Sequence, residues 1–152
     1  MITASLRLLT PADAGVVGRG LELLGPRSRY RRWGVQVICP ETALAWITEL
    51  DGIRRVAVGA CSADGPIGVA RYVGAQDGTA EIAATVIDSA QGQGFGGLLL
   101  DELVSHARRN GFEVLRASIQ LDNHAAIRLM RGIGGERLGW SDGVLEYEAR
   151  IR

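Results

Sequence analysis

Residues 80–97 read Ala-Glu-Ile-Ala-Ala-Thr-Val-Ile-Asp-Ser-Ala-Gln-Gly-Gln-Gly-Phe-Gly-Gly, and they carry the clearest structural signal in the chain. Its first part, residues 80–87, is apolar and suits a β-strand, whereas from Phe95 onward apolar residues recur at the spacing of a helix. The stretch therefore predicts a strand, a loop and a helix in succession. Glu81 lies on the strand, ten residues before the glycine-rich run that starts at Gln91.

The glycine-rich run points to a bound phosphate. Four of the six residues 92–97 are glycine, and such a run is costly in backbone entropy unless the chain must adopt positive φ or approach a ligand closely. Backbone N–H groups at the start of a helix have no internal partner and lie at the positive end of the helix dipole, so they can bind a pyrophosphate without a lysine. This matters because all 17 cationic residues are Arg.

On either side of this stretch, the pattern predicts an α+β domain. Asp-Gly pairs at 64–65 and 77–78 separate alternating runs, which is typical of an antiparallel meander. Thr10-Pro11-Ala12-Asp13 forms the start signal of a helix that we expect to end near Leu24. The expected strands are at 4–9, 54–61, 67–74, 79–87, 113–120, 136–140 and 144–150, and the expected helices at 10–24, 41–50, 95–109 and 122–131.

The composition fits one globular domain over residues 1–152. The chain is 47% hydrophobic and 22% charged with zero net charge, which argues against a general attraction to nucleic acid or to an anionic membrane. Cys39 and Cys61 lack metal-ligand spacing, and neither a signal-like N-terminus nor an 18-residue apolar run is present. We expect a cytoplasmic protein with free thiols and no metal site. The composition leaves open whether the chain forms a homodimer.

The order of elements, the run Gln91-Gly92-Gln93-Gly94-Phe95-Gly96 and the downstream Asn123 resemble the GNAT superfamily of acyl-CoA-dependent N-acetyltransferases. The resemblance covers nearly the whole chain. It implies a three-layer α/β/α arrangement, α+β in class, with a mixed and largely antiparallel sheet of about seven strands and four helices. Segments 28–33, 68–72 and 80–83 are similar to the acetyltransferase domain of bacterial Pat-type protein lysine acetyltransferases, which implies a protein lysine as acceptor.

The resemblance also implies a cofactor, acetyl-CoA, which serves as the acyl donor and whose pyrophosphate is bound by main-chain amides of the glycine-rich run. The implied cofactor-binding residues are Val86, Ile87, Gln91, Gly92, Gln93, Gly94, Phe95, Gly96, Gly97 and Asn123. Main-chain N–H groups around residues 85–87 are expected to stabilise the oxyanion of the tetrahedral intermediate. Asn123, directly after Asp122, is equally explained as a helix cap, and the two roles can coexist.

Glu81 is the predicted general base. An amine attacks a thioester only when neutral, and a lysine ammonium has a reference pKa of about 10.4, so some group must take its proton. A partly buried carboxylate beside the acyl site could do so directly or through a water. The alternative is that Glu81 is an outward strand residue paired with Arg71. Many relatives place a tyrosine acid seven residues after the helix asparagine, but that position is Met130 here.

Other functions compete with a protein lysine acetyltransferase. Gly92-x-Gly94-x-x-Gly97 also fits a dinucleotide-binding fingerprint, although a meander and not repeated strand–helix–strand units precedes it. A small-molecule amine could be the acceptor, and the missing tyrosine favours a non-catalytic acyl-CoA-binding or sensing module. The basic, aromatic segment 27–33 suits an acceptor groove better than nucleic acid, and a simple packed loop explains it equally well.

Overall fold

The computed structural model describes residues 3–23 and 45–152. These residues form seven strands and three α-helices, with 3-10 turns at Pro11–Asp13, Trp46–Glu49 and Asp88–Ala90. In chain order the elements are β1 (Ser5–Leu8), α1 (Ala14–Glu22), β2 (Arg55–Ser62), β3 (Gly65–Gly74), β4 (Thr79–Val86), α2 (Phe95–Arg109), β5 (Val114–Gln120), α3 (His124–Gly132), β6 (Glu136–Ser141) and β7 (Val144–Arg150). Every strand expected from the sequence is present, within about two residues at each end.

The strands form one sheet in the order β1-β2-β3-β4-β5-β7-β6. Each neighbouring pair is antiparallel except β4 and β5, which are parallel because α2 carries the chain back along the sheet. The expected mixed, largely antiparallel sheet of seven strands is thereby confirmed. Its single parallel junction falls at the strand that carries Glu81.

The described residues contain three of the four α-helices that the sequence predicts, and the fourth, expected at 41–50, lies partly outside them. Of the helix expected at 41–50, residues 41–44 lie outside the described residues, and the rest contains the 3-10 turn Trp46–Glu49. Its Ile47 is fully buried, so the inward face of the expected helix is kept in a tighter turn. Segment 27–33 also lies outside the described residues. No helix within 3–23 or 45–152 is long and apolar enough to span a membrane.

The start of α1 follows its sequence signal. The Thr10 hydroxyl accepts a hydrogen bond from the N–H of Ala12 (3.3 Å), and the Asp13 carboxylate accepts one from the N–H of Thr10 (2.9 Å). Arg7 on β1 donates to both oxygens of the same carboxylate, at 2.9 and 2.5 Å. The Arg7 hydrogen bond is the main cause of a lowered pKa at Asp13. These contacts attach the helix to the first strand.

The core lies between the sheet and α2. Leu99 on α2 is fully buried against the sheet face that carries Ala70 and Tyr72, which we call the inner face. A second apolar group joins α3 to β5 and β7 on that face. Helix α1 lies on the opposite, outer face, where Gly20 approaches Pro66. Because side chains alternate along a strand, the residues between the buried ones point to the outer face.

Candidate active site

A cleft opens where β4 and β5 separate. The two strands pair only through residues 79–81 and 114–116, and beyond these residues they diverge. The resulting wedge holds a cavity of about 350 Å³, lined by both strands, the glycine-rich run and α3. This volume is in the range of small-molecule sites, which are typically about 300–1,000 Å³. The break in strand pairing therefore produces a space large enough for a small-molecule ligand.

The glycine-rich run turns from β4 into α2 at the edge of this cleft. Gly92 and Gly94 have φ of 76° and 90°, a left-handed conformation that residues with a side chain rarely adopt. The first hydrogen bond of α2 joins the N–H of Leu98 to the carbonyl of Gly94 (3.2 Å), so the N–H groups of residues 95–97 have no partner within the helix. They lie at the positive end of the helix dipole and can bind an anion.

The backbone of this run is accessible to a ligand. A Cβ built on Gly92 or Gly94 would meet no atom of the described residues within 4 Å, so these glycines serve backbone conformation and not internal packing. Gly96 differs, because its Cβ would lie 3.0 Å from Leu129 Cδ1 on α3. Phe95 is buried in the core, so only its backbone can face a ligand.

Eight of the ten predicted cofactor-binding residues line the cleft, namely Val86, Gln91, Gly92, Gly94, Phe95, Gly96, Gly97 and Asn123. The other two, Ile87 and Gln93, lie elsewhere. The N–H of Ile87 donates to the carbonyl of Ile67 on β3 (2.8 Å), and its side chain lines a smaller cavity. The Gln93 side chain donates to the carbonyl of Ser89 (3.3 Å) and thereby holds the loop.

The N–H groups of β4 alternate between the neighbouring strand and the cleft. Because the N–H of Ile87 points to β3, the alternation of an antiparallel ladder turns the N–H of Val86 towards the cleft. In an antiparallel strand the N–H and carbonyl of one residue point to the same side. The carbonyl of Val86 also points away from β3, since it accepts a hydrogen bond from Gln91 Nε2 (2.9 Å). Val86 is thus the residue of 85–87 whose N–H faces the cleft. The expectation that Ile87 also offers a donor is corrected, because its N–H is used within the sheet.

Glu81 lies at the closed end of the wedge, opposite Arg116 in the last paired position of β4 and β5. Its side chain is on the outer face and exposed to solvent, so the expectation of partial burial is wrong. The cleft lining begins one residue later on the strand, at Ile82. No ion pair joins Glu81 to another described residue, and its carboxylate is accessible from the outer face.

Arg71, the alternative partner of Glu81, lies diagonally from it on the outer face, since Arg71 is opposite Ala83 and Glu81 is opposite Val73. Burial and then the charge of Arg55 lower the pKa of Arg71, while Glu49 and Glu81 oppose that shift. The Arg71 guanidinium also lies over the Trp46 ring, with its Cζ 5.0 Å from the ring centre. Arg71 therefore adds a positive charge near Glu81 without forming an ion pair with it.

Two polar pairs join β5 and β7 on the outer face, and neither is apparent from the sequence. Ser118 donates to both carboxylate oxygens of Glu146 (2.9 and 2.8 Å), and Arg116 Nε donates to Glu148 Oε2 (3.0 Å). In each pair the two residues are directly opposite in the ladder. Ser118 lines the cleft, whereas the Arg116–Glu148 pair lies outside its lining. The two residues of each pair are 28 and 32 positions apart in the sequence, so the pairs can be identified only once the strand register is known.

Asn123 caps α3 and lines the cleft with the same side chain. Its Oδ1 accepts a hydrogen bond from the N–H of Ala126 (3.3 Å), so the cap is present and the amide nitrogen is the part that can donate to a ligand. Met130, seven residues later, is buried in the core and also reaches the cleft. A thioether has no acidic proton, so this position supplies no general acid.

Two buried polar atoms have no hydrogen-bond partner among the described residues, Thr85 Oγ1 and Trp46 Nε1. Both residues line the smaller cavity, of about 50 Å³, between α1 and the outer face of the sheet. Thr85 lines the main cleft as well. Buried polar atoms without partners are uncommon in native proteins, so these are places where a ligand or a water can bind.

Comparison with solved structures agrees with the fold. The GNAT domain of PAT from S. lividans gives a TM-score of 0.87 at 24% identity, covering 97% of this chain and 90% of that one. The yncA protein of Salmonella typhimurium, solved with acetyl-CoA, gives 0.78 at 21% identity, covering 98% and 94%. A ribosomal-protein-alanine N-acetyltransferase from Brucella melitensis gives 0.76 at 22% identity, covering 96% and 99%. Similarity at these identities establishes the fold alone.

Comparison of the sequence with protein families gives a more specific result. No curated protein matches the chain. The profile of the Acetyltransferase (GNAT) family matches residues 27–134, which include β4, the glycine-rich run, α2 and β5. Together with α3, which also lies in the matched range, these elements form the cleft, so the dinucleotide-binding fingerprint within the run is coincidental. The chain belongs to the GNAT acetyltransferase family, whose members are enzymes that transfer the acetyl group of acetyl-CoA.

Proposed function

We propose that this enzyme transfers an acetyl group from acetyl-CoA to a primary amine by direct attack in a ternary complex, with a protein lysine side chain as the leading acceptor. The observation that carries the proposal is the wedge between β4 and β5. Its lining includes the start of α2, whose free N–H groups can bind an anion, and its closed end lies at Glu81, an exposed carboxylate just outside the lining. Acetyl-CoA and the amine that receives the acetyl group can therefore approach each other from opposite faces of the sheet.

The residues of the cleft fit acetyl-CoA. The N–H groups of residues 95–97 offer donors to the pyrophosphate, and Gly92 and Gly94 leave open space beside them. The apolar side chains of β4 and β5 suit the pantetheine chain, and the N–H of Val86 is the donor proposed for the thioester oxygen. Donors aimed at an oxygen whose charge grows in the transition state lower the barrier because they need no reorganisation.

Glu81 is proposed as the general base. At neutral pH an amine with a pKa of about 10.4 is almost entirely protonated, so its proton must leave before attack. The exposed carboxylate lies two residues before Ala83 on the same face of β4 and can accept that proton directly or through a water. Proton transfer of this kind typically accelerates a reaction by about 10²–10⁴-fold.

The proposed acceptor of the acetyl group is the side-chain amine of a protein lysine. Similarity to the Pat-type domain favours a protein lysine, and a small-molecule amine is the second candidate. Glu81 is exposed, so its carboxylate is accessible to an acceptor from solvent. We place the activity in the cytoplasm, in keeping with the free thiol of Cys61.

A non-catalytic acyl-CoA-binding module is the remaining alternative. It is favoured because buried Met130 occupies the position at which many relatives have a tyrosine acid.

Calorimetric titration with acetyl-CoA, with NADH in parallel, is the first test of this function. Saturable binding of acetyl-CoA but not NADH is expected. The second step measures CoA release with peptides that carry one central lysine, with the same peptides carrying arginine instead, and with a panel of small primary amines. Turnover with the lysine peptides alone supports a protein acceptor, and turnover with small amines alone replaces it. Tight acetyl-CoA binding without turnover on either set would identify a binding module.

The base is tested with Glu81→Gln, using Glu136→Gln as a matched control because Glu136 is an exposed strand glutamate on edge strand β6. The expected loss in kcat is about 10²-fold or more for Glu81→Gln, with the largest deficit at low pH, where little neutral amine is present. The control variant should match the wild type. Equal rates for both variants across pH 6–9 would remove Glu81 from the mechanism.

A further inference from the structure

Ser118 lies near the closed end of the wedge, two residues beyond the last paired position of β4 and β5. Glu81 and Arg116 are the last paired residues of the two strands. Two residues further, Ala83 and Ser118 follow on the same outer face, on opposite sides of the opening, and both line the cleft. Ser118 therefore lies on the side where an acceptor approaches, about one strand repeat of 6–7 Å beyond the Glu81 position.

The hydrogen bond of Ser118 fixes what its oxygen can do. The hydroxyl donates to both carboxylate oxygens of Glu146, at 2.9 and 2.8 Å. Hydrogen bonds from a hydroxyl to an ionised carboxylate are stronger than those between neutral groups, so the proton is held on this side. A serine oxygen that donates its only proton still has lone pairs. Towards the cleft, Ser118 is therefore a hydrogen-bond acceptor.

Because Ser118 presents a hydrogen-bond acceptor to the cleft, it can bind the N–H of an amine but not the oxygen of the thioester. It cannot stabilise the thioester oxygen, which needs a donor, and the N–H of Val86 is available for that oxygen. It can bind an N–H of an incoming amine, and the negative charge of Glu146 behind it favours a nitrogen that still carries positive charge. The partner that fits Ser118 is consequently the acceptor nitrogen.

We propose that Ser118 binds and orients the attacking nitrogen of the amine acceptor, and that Glu146 is a positioning residue that holds the Ser118 hydroxyl in its accepting orientation. This inference rests on the proposed N-acetyltransferase function and deepens it. Glu81 takes the proton, whereas Ser118 aligns the nitrogen with the thioester carbon. Alignment of this kind is worth a large part of the rate in a bimolecular reaction.

A role of the Ser118–Glu146 pair in sheet stability can be distinguished from a role in catalysis, because a second polar pair joins the same two strands nearby. Arg116 and Glu148 face each other across the same two strands, two residues away, and join β5 to β7 in the same manner. That pair lies outside the cleft lining. If cross-strand bonding alone mattered, loss of either pair would affect the protein equally.

The test compares Ser118→Ala, Ser118→Thr, Glu146→Gln and Glu148→Gln with the wild type. The readouts are kcat and KM for a single-lysine peptide and for benzylamine, calorimetric Kd for acetyl-CoA, and Tm. Ser118→Ala is expected to lower kcat/KM for the amine by about 10- to 100-fold with the acetyl-CoA Kd unchanged. Ser118→Thr should restore most of the rate, Glu146→Gln should fall between wild type and Ser118→Ala, and Glu148→Gln should match the wild type.

The outcomes separate this inference from the function on which it rests. A wild-type protein that binds acetyl-CoA but acetylates none of the lysine peptides and none of the small amines, benzylamine included, overturns both together. An active wild type with an unchanged kcat/KM in Ser118→Ala overturns the inference alone. Equal losses in Glu146→Gln and Glu148→Gln also overturn it, because they indicate a role in sheet stability. A weakened acetyl-CoA Kd in Ser118→Ala likewise contradicts it, since Ser118 would then contact the donor.

Discussion

Gly68 on β3 lies directly against the backbone of Thr85 on β4, so that a Cβ at position 68 would stand 2.7 Å from the Thr85 carbonyl oxygen and 3.0 Å from Leu99 Cδ1. The β4 backbone and a buried side chain of α2 limit this space from two directions. Only glycine fits there without moving β4. Because Val86 follows Thr85, this contact also sets the position of the N–H that faces the cleft.

Gly68→Ala is expected to reduce stability and acetyl-CoA affinity together. Overpacking a core by one methyl typically costs about 1–3 kcal/mol, and β4 must shift to relieve it. Thermal unfolding and calorimetric titration with acetyl-CoA measure the two effects. Gly139→Ala on edge strand β6 is the control, because its Cβ would meet no described atom within 4 Å, so it should leave the Kd unchanged without lowering stability. Wild-type affinity in Gly68→Ala would mean that β4 moves without affecting the site.

Gly94→Ala isolates the left-handed backbone at the start of α2. The position has φ of 90° and open space around its Cβ, so the substitution introduces backbone strain of about 1–2 kcal/mol without a clash. Relief of that strain reorients the first N–H groups of the helix, and we expect the acetyl-CoA Kd to rise at least about 10-fold. Gly132→Ala near the end of α3 is the control, where alanine should raise stability by up to about 1 kcal/mol and leave the Kd unchanged.

The fold could be predicted from the sequence because its signals are local. Asp-Gly turns delimit strands that pair with their neighbours in the chain, and Thr10 with Asp13 marks the start of α1. The helix expected at 41–50 is described only from residue 45 onward. Ala45 is helical, and Trp46, Ile47 and Thr48 have modest helix propensity, which suits a tighter turn after it. The described part of that segment forms a 3-10 turn that still buries Ile47.

Some features of the candidate site depend on the backbone of one segment, and others depend on how the strands pair. The glycine-rich run offers main-chain N–H groups at a helix start, so its composition alone is enough to predict an anion site there. Which of Val86 and Ile87 faces the cleft depends on the pairing of β4 with β3. The exposure of Glu81 depends on what covers the outer face, and the Ser118–Glu146 bond depends on β5 lying beside β7. None of these relationships leaves a local pattern in the sequence.

Thr85→Val removes a buried hydroxyl that has no partner among the described residues. A polar group in that state costs about 1–3 kcal/mol, and valine has nearly the same shape, so Tm is expected to rise by a few degrees. Acetyl transfer is expected to slow, since Thr85 lines the cleft in which we propose that the thioester binds. Thr79→Val is the contrasting variant, because Thr79 Oγ1 donates to Asp77 Oδ1 (2.5 Å) and its loss should lower Tm. A fall in Tm for Thr85→Val would show that the hydroxyl is satisfied.

Asp13 makes part of the stability dependent on pH. Its pKa is lowered, chiefly by the Arg7 hydrogen bond, so the folded state releases this proton more readily than the unfolded state does. The stabilisation is therefore complete above the unfolded value of about 4 and is lost as pH falls through the lower, folded value. Asp13→Asn should cost about 1–2 kcal/mol at pH 7 and flatten the loss of Tm below about pH 4. Exposed Asp64 supplies the control, and Asp64→Asn should keep the wild-type pH profile.

Asn123 allows the capping role and the binding role to be separated by two substitutions. Its Oδ1 caps α3 through the N–H of Ala126, and an aspartate at the same position can make that hydrogen bond equally well. Asn123→Asp should therefore keep the wild-type Tm, but it removes the amide donor and places a negative charge beside a polyanionic cofactor. We expect its acetyl-CoA Kd to rise by roughly 10-fold or more. Asn123→Ala should lose about 1 kcal/mol of stability as well. If Asn123→Asp binds acetyl-CoA as tightly as the wild type, the residue is a cap alone, and the pyrophosphate and pantetheine contacts belong to β4 and the glycine-rich run.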